Sequence, residues 1–362
     1  MSLTPIEKIK FPVIGAAQIK LLERLCNACA VSGEEGEVRK IVLEQIRPIA
    51  DDVHVDPLGN VLAVRRGQAE GGLKVMLAAH MDEVGMMIVQ DDEDGYFRFE
   101  TIGGIDARQL VGKAVWIGSD HIPGVIGTKP VHLTTPDERN HTINLENLRI
   151  DSGPVNKSKI KAGDRVAFTT TFTRIGSSLR AKALDNRLGV ATLIELVKNA
   201  PPNIDLVAAF TVQEEVGLRG ARVAAYTLNP DLAIVLDCTL ANDLPAWDGS
   251  ENTRYNTRLG AGPAIYLADH YTLSDPRLVR FLIDTAESAG IRYQIRQPGG
   301  GGTDAGAIHK QRAGIPSVSL SVPGRYLHTA VSLARLSDWK AALALVHTAL
   351  SQITPQVLSA DR

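Results

Sequence analysis

Three apolar stretches of this chain end abruptly in residues that can bind a metal ion. They are residues 73–79 before His80, residues 207–213 before Glu214 and Glu215, and residues 231–236 before Asp237. Their length and apolar content predict strands buried on both faces of a sheet. Taken alone, each of these polar residues is explained as an ordinary loop residue that follows a core strand. Because sites in open α/β sheets form beyond the carboxyl ends of the strands, the three together predict a divalent metal site.

Length and charge limit the possible functions. A chain of 362 residues accommodates one large domain and a smaller one. A formal charge of -2 without a long basic run argues against a nucleic-acid or anionic-membrane partner. No run reaches the roughly 18 apolar residues of a membrane span. The apolar stretch after Lys8 and Lys10 is short and interrupted by Pro12 and Gly15, so we expect a cytoplasmic protein rather than a secreted one.

The three cysteines do not form a disulfide framework. Cys26 and Cys29 form a C-x-x-C pair, which is found in redox sites and in half of a zinc site. Because both fall in the helical pattern that begins at Leu21, we expect them to pack in the core. Cys238 is expected to be a small buried residue beside Asp237.

The order of the segments predicts an α/β fold. Two helices near residues 17–30 and 36–49 and a hairpin turning at residues 57–60 precede the strand to His80. Residues 86–176 contain short alternating segments between Gly, Asp and Pro turns, and alternating helices and strands follow. We therefore expect a mixed sheet flanked by helices, made of residues 1–85 and 177–362, with residues 86–176 inserted as a small all-β domain.

Two further candidate ligands are ambiguous by themselves. Asp185 precedes a predicted helix, where an N-cap role would explain it. A carboxylate in that place can also present both oxygens outward, as a bridging metal ligand must. His328 follows the last predicted strand, and a single loop histidine is usually a surface residue.

The motifs around these residues resemble the M42 family of di-metal aminopeptidases, the glutamyl or tetrahedral aminopeptidase group. The similar segments are residues 79–85, 183–189, 213–221, 237, 301–307 and 325–328. The resemblance implies two metal ions bridged by Asp185, with Glu214 as the general base. The remaining ligands that it implies are His80, Asp237, Glu215 and His328. Thr329 stands where the family is expected to have Ser.

Asp82 is a candidate partner of His80. Residues i and i+2 of an extended chain share a face, so Asp82 is expected to accept the second imidazole N–H and fix the tautomer. The alternative is a solvated loop carboxylate. Glu83, which follows it, has no predicted role.

The resemblance implies a zinc or cobalt aminopeptidase that acts on short peptides. A free α-amine would mark the first residue of the substrate. The alternatives are a deacylase or amidase that uses the same centre, and a non-catalytic, metal-stabilised assembly. The resemblance also implies that the inserted β domain forms dimers, which assemble into a tetrahedral dodecamer.

The Gly-rich segment 299–302 has two possible functions. It could bind a phosphate before a helix starting near Thr303, but no P-loop Lys accompanies it, so a wall of the substrate pocket is favoured. His309 is expected to be structural. The side-chain specificity stays open, since an acidic substrate residue could meet any of four cations: Arg254, Arg258, Arg296 and Arg325.

Overall fold

The computed structural model describes residues 11–246, 248–250 and 256–359. Lys8, Lys10 and Arg254 lie outside these residues. The helices are α1 Ala16–Asn27, α2 Gly36–Ile46, α3 Pro136–Asn140, α4 Leu184–Lys198, α5 Arg219–Leu228, α6 Pro276–Ala289, α7 Ala305–Ile308, α8 Leu336–Gln352 and α9 Gln356–Ser359. The strands before the middle of the chain are β1 Asp52–Val55, β2 Val61–Arg65, β3 Lys74–His80, β4 Gly85–Asp91, β5 Tyr96–Ile102, β6 Ala114–Ile117, β7 Ile122–Gly127, β8 Arg149–Asp151 and β9 Arg165–Phe168. The later strands are β10 Thr173–Ile175, β11 Ser178–Ala181, β12 Asp205–Thr211, β13 Leu232–Leu240, β14 Ala264–Tyr266, β15 Gln294–Arg296, β16 Ser317–Arg325 and β17 Ser332–Arg335.

A mixed sheet of 11 described strands forms the body of the protein. Its main path runs β1-β2-β12-β3-β13-β16-β17-β11-β10, and β14 and β15 extend it from β16. The four central strands β12, β3, β13 and β16 are parallel, as their continuous apolar sequences require. Helices α1, α2, α4, α6 and α8 cover one face, and α5 and α7 cover the other. The predicted α/β class is confirmed.

The strand register brings the predicted site residues to one level. In the β12–β3 pair, Thr211 lies opposite His80. In the β13–β3 pair, Val235 lies opposite Ala78. Asp237 and His80 each follow two residues later, so they lie at the same level, where β3 ends. The strand β13 continues past Asp237 to Leu240, so the prediction that it ends at Leu236 is wrong.

The inserted segment contains a closed barrel. Strands β4 to β9 pair in the order β4-β5-β8-β7-β6-β9, with antiparallel neighbours. The barrel has an apolar core of its own, built around Phe97, Ile117, Ile150 and Val166. The strands β10 and β11 that follow it return to the large sheet.

Some boundaries and one cysteine differ from the predictions. Helix α2 ends at Ile46 rather than Ile49, and α1 ends at Asn27. Cys26 is buried in the core as expected, but Cys29 lies beyond the helix because Ala28 is extended. The core-packing prediction for Cys29 is therefore wrong. None of the described helices is long and apolar enough to cross a membrane.

Candidate metal centre

His80, at the end of β3, is oriented by its own loop. Its Nδ1 lies 3.2 Å from the backbone oxygen of Asp82 and 3.5 Å from the Asp82 carboxylate. With the proton on Nδ1, the lone pair of Nε2 is free for a metal ion. Nε2 lies 3.3 Å from Asp185 Oδ1 and 3.4 Å from Asp237 Oδ1.

Asp185 lies in the first turn of α4 and does not cap the helix, contrary to the N-cap alternative. Ala183 is the N-cap residue of α4, and the Asn186 side chain accepts the N–H of Gly189 instead. The carboxylate of Asp185 faces the cluster: Oδ1 lies beside His80, and Oδ2 lies 3.6 Å from Nε2 of His328. Among the described residues, no donor makes a well-aligned hydrogen bond to the buried Oδ1. Burying a carboxylate oxygen without a hydrogen-bond partner costs folding free energy unless a cation binds it.

Glu215 and His328 form the other half of the cluster. Oε1 of Glu215 lies 3.4 Å from Nε2 of His328. His328 Nδ1 lies 3.2 Å from the carbonyl oxygen of Gly104, which belongs to the inserted segment. A Cβ on Gly104 would lie 3.3 Å from that nitrogen, so a glycine permits the close approach. The hydroxyl of Thr329 donates to the carbonyl of Tyr326 and thereby supports the turn.

These ligands form two groups that share one carboxylate. One group comprises His80, Asp185 and Asp237, and the other comprises Asp185, Glu215 and His328; in each, the candidate ligand atoms lie within 4.8 Å of one another. His80 also groups with Glu214 and Glu215. Imidazole and carboxylate donors suit zinc, cobalt and manganese.

Asp82 is buried and joins two strand ends. Its Oδ1 accepts the backbone N–H of Glu214 at 3.0 Å, and its Oδ2 accepts that of Glu215 at 3.2 Å. The hydroxyl of Ser32 also donates to Oδ2, at 2.6 Å. Asp82 is therefore no solvated loop residue: it contacts His80 and also fixes the backbone of the two adjacent glutamates.

A buried ionic group supports the same loop. Glu83 accepts Lys182 Nζ at 2.6 Å and Arg187 Nη2 at 3.1 Å, and all three are buried. Arg187 also donates to the carbonyl oxygens of Met81 and Asp82. Since Arg187 follows Asp185 by two residues, it links the β3 loop to the start of α4. Sequence reasoning gave none of these three residues a role, because charged side chains are usually exposed.

Asp304 was also missed. One of its carboxylate oxygens accepts the hydroxyl of Thr211 at 2.5 Å, and no described residue hydrogen-bonds to the other, which is buried. Burial raises the pKa of Asp304 to about 7. The carboxyl contributes to the raised pKa of Glu214 as well.

Burial shifts the titration of the cluster when no cation is present. It raises the pKa of Glu215 to about 8 and that of Asp237 to about 6, against the opposing effect of nearby imidazoles. Burial also raises the pKa of Glu214. Burial alone would lower the pKa of His328. Contact with Asp185 and the charge of Glu215 outweigh this effect and raise the pKa to about 9. A divalent cation would replace the retained protons, so the donor set fits metal ions.

A cavity of about 840 Å³ opens beside the cluster. Its lining includes Glu214, Arg296 and residues 299–302, so the Gly-rich segment forms part of its wall. The helix after this segment, α7, begins at Ala305 and has only 4 residues.

The predicted cations differ in their surroundings. Arg325 is paired with Asp243 at 2.7 Å, and Arg258 is exposed and does not line the cavity. Arg296 is buried against Tyr266, with the guanidinium 4.3 Å from the ring centre. Of the described residues that line the cavity, it is the one Lys or Arg.

Known proteins share this fold and are similar in sequence over most of the chain. A "Putative aminopeptidase" of Acetivibrio thermocellus is 35% identical over 91% of this chain and 97% of the relative. The TET aminopeptidase structure from Thaumarchaeota archaeon SCGC AB-539-E09 is 33% identical over 95% of this chain and 99% of that one, with a TM-score of 0.89. The TET1 peptidase of Pyrococcus horikoshii is 30% identical over 93% of this chain and 100% of that one, with a TM-score of 0.81.

The family comparison covers most of the chain. A model of the M42 glutamyl aminopeptidase family matches residues 59–345, which include all the predicted metal ligands. Together with the relatives and the common fold, this match shows that the chain belongs to the M42 family of aminopeptidases.

Proposed function

We propose that this protein is a di-metal aminopeptidase that removes N-terminal residues from short peptides. The observation that carries the proposal is the orientation of Asp185, whose two oxygens face different histidines, 3.3 and 3.6 Å away. His80 and Asp237 would hold one ion, and Glu215 and His328 the other. The donors suit zinc or cobalt.

When bound, two divalent ions supply Lewis acidity toward the scissile carbonyl and lower the pKa of a nearby water. Glu214 would accept the proton of the attacking water and return it to the departing amine. Without a cation, burial raises the pKa of Glu214 above its ordinary value, and bound cations would act in the opposite direction. Asp82 holds the backbone N–H groups of Glu214 and Glu215, so each carboxylate keeps its own direction.

The substrate would bind in the cavity beside the cluster. Its free α-amine is attracted to the carboxylate-rich end, so cleavage would follow the first residue. The remaining wall, which includes Leu240, Tyr271 and Arg296, would accept the first side chain.

We further propose that residues 86–176 form a dimerisation domain and that dimers assemble into a tetrahedral dodecamer. The similar P. horikoshii TET1 peptidase "can assemble into a tetrahedron or a large octahedral shell". Three apolar side chains of this segment, Val131, Leu133 and Val155, are at least 60% exposed. Light scattering after size exclusion should give the mass of a dodecamer, and a monomer at working concentration would contradict the assembly.

A cytoplasmic location is also proposed. The three cysteines are free, as expected in a reducing compartment. Cell fractionation should recover the protein with a cytosolic marker, and recovery with secreted proteins would contradict this location.

Hydrolysis of one short peptide tests the proposed function. Metal-loaded protein is given the peptide with a free N-terminus and the same peptide N-acetylated, each with and without a chelator. We expect cleavage of the free form alone, abolished by the chelator. Equal cleavage of both forms, or cleavage of the acetylated form alone, would favour a deacylase or amidase. No cleavage of either form across a panel of peptides would favour a non-catalytic assembly.

A further inference from the structure

A second group of metal-binding side chains lies away from the cavity. Cys29, Glu37 and His121 each offer a ligand atom within 4.8 Å of the others. Cys29 lies in the loop between α1 and α2, Glu37 in the first turn of α2, and His121 in the turn between β6 and β7. The group therefore joins the body of the protein to the barrel.

Direct contacts already hold the group together. Glu37 Oε1 lies 2.6 Å from His121 Nε2, and Glu37 Oε2 accepts the backbone N–H of Cys29 at 2.9 Å. The His121 ring stacks against Trp116, with ring centres 6.2 Å apart. These contacts fix the carboxylate and the imidazole beside the cysteine.

The donor types and the space suit a thiophilic cation. Thiolate, imidazole and carboxylate are the ligands that zinc prefers. A tetrahedral zinc ion holds its ligand atoms about 3.5 Å apart, so Glu37 Oε1 and His121 Nε2, now 2.6 Å apart, would separate by about 1 Å. The other ligand atoms, at most 4.8 Å apart, would approach by little more than about 1 Å. A cavity of about 250 Å³, lined by Cys29, Glu37 and Trp116 among others, leaves room for a water as fourth ligand.

We propose that Cys29, Glu37 and His121 form an additional metal site that binds zinc or a similar divalent cation. One thiolate and one carboxylate neutralise the charge of the ion, and His121 binds as a neutral imidazole. The ion would cross-link the barrel to the loop between α1 and α2. The site shares no ligand with the candidate catalytic centre.

The loop that carries Cys29 also supports the catalytic centre. Ser32 donates to the Asp82 carboxylate, and the backbone of Ala30 exchanges hydrogen bonds with Glu83. From the barrel side, Arg165 donates to the carbonyl oxygen of Ser32 at 3.0 Å. A metal ion at Cys29 would fix this loop where the barrel meets the β3 loop.

Cobalt loading distinguishes this site from the catalytic one. The candidate catalytic ligands are nitrogen and oxygen atoms, so a near-ultraviolet thiolate-to-cobalt charge-transfer band reports a cysteine ligand. Metal-free wild-type protein is titrated with Co²⁺, and bound cobalt is counted by elemental analysis. We expect the band, and its loss when Zn²⁺ displaces Co²⁺.

Variants assign the band to the proposed ligands. Cys29→Ser and His121→Asn should each bind one equivalent of cobalt fewer than wild type and lose or strongly weaken the band. Asn tolerates the left-handed backbone at residue 121, where φ is 50°, so this variant tests the site even if Cys29→Ser folds poorly. Cys26→Ala and Cys238→Ala are the matched controls and should keep the band.

Two results would overturn the site. One is the absence of a thiolate band in fully loaded wild type. The other is a band that survives in Cys29→Ser or disappears only in Cys238→Ala. Neither result depends on peptide hydrolysis, so this test is independent of the proposed aminopeptidase activity.

Discussion

At the scale of the residue, the centre depends on where single carboxylates point. Asp185 and Asn186 leave helical geometry at the start of α4, so the aspartate faces the cluster while the asparagine caps the helix. Glu214 and Glu215 are adjacent, yet each has its own backbone hydrogen bond to Asp82. Because each backbone position is fixed separately, one carboxylate can bind metal while the other accepts and returns a proton.

Replacing Glu214 by Gln separates catalysis from metal binding. The amide cannot accept the proton of water, so we expect kcat to fall by about 10²- to 10⁴-fold. Metal content, measured by elemental analysis, and thermal stability should change little. Glu215→Gln is the comparison and should lose metal as well as activity. Full activity in Glu214→Gln would exclude this residue as the base.

Arg296 should bias the pocket toward acidic first residues. Its N–H groups contact only neutral oxygens among the described residues, those of Thr239, Ala268, Gln297 and Gly300. Its charge is therefore available to a substrate carboxylate. We expect Arg296→Met to lower kcat/KM for a Glu-first peptide by about 10- to 100-fold more than for a Leu-first peptide, as loss of a charged hydrogen bond implies. Arg258→Met should leave the ratio unchanged, and an unchanged ratio in Arg296→Met would refute this role.

At the scale of the element, strand ends deliver the ligands and loops orient them. The end of β3 could be predicted from the sequence, because its apolar run stops at His80. The end of β13 could not, because the strand continues past Asp237 to Leu240, paired with β16. The orientation of Asp185 could not, since the local sequence also fits an N-cap. The burial of Lys182 and Arg187 depends on Glu83, which is distant in sequence. Cys29 lies outside the core because α1 ends before it. This could not be predicted, because the local sequence pattern determines the ends of helices poorly.

Asp82→Asn tests the link between the β3 loop and the turn after β12. An amide has one acceptor oxygen, so it cannot keep the N–H groups of both Glu214 and Glu215. We expect metal affinity to fall by about 10- to 100-fold, as for loss of other groups that orient ligands. Titration with a competing chelator measures the change. Ser32→Ala removes one donor only and should have a smaller effect, and wild-type affinity in Asp82→Asn would contradict the proposed link.

At the scale of the whole molecule, the body supplies most of the cluster, and the inserted segment orients His328 through Gly104. Without metal, the buried groups make stability depend on pH. His328, with a pKa raised from 6.5 to about 9, stabilises the fold below pH 6.5, and this contribution is lost as pH rises through about 9. Asp237 and Glu215, raised to about 6 and about 8, act in the same direction because the fold favours their protonated forms.

The metal-free protein should therefore lose thermal stability as pH rises from about 6 to about 9. Asp185 has a lowered pKa, so its stabilising contribution is complete above its ordinary value of 3.8 and stays constant in this range. Differential scanning calorimetry of metal-free and zinc-loaded protein measures Tm. The decline in Tm should be smaller in the zinc-loaded protein. A Tm of the metal-free protein that stays level or rises over this pH range would contradict these pKa shifts.

The most direct test of the centre is anomalous diffraction at the zinc edge from crystals of zinc-loaded protein. We predict two peaks in the centre, each about 2.0–2.2 Å from a different oxygen of Asp185. One should also contact His80 and Asp237, and the other Glu215 and His328. A single peak in the centre, or two peaks of which Asp185 contacts at most one, would contradict the bridged di-metal site.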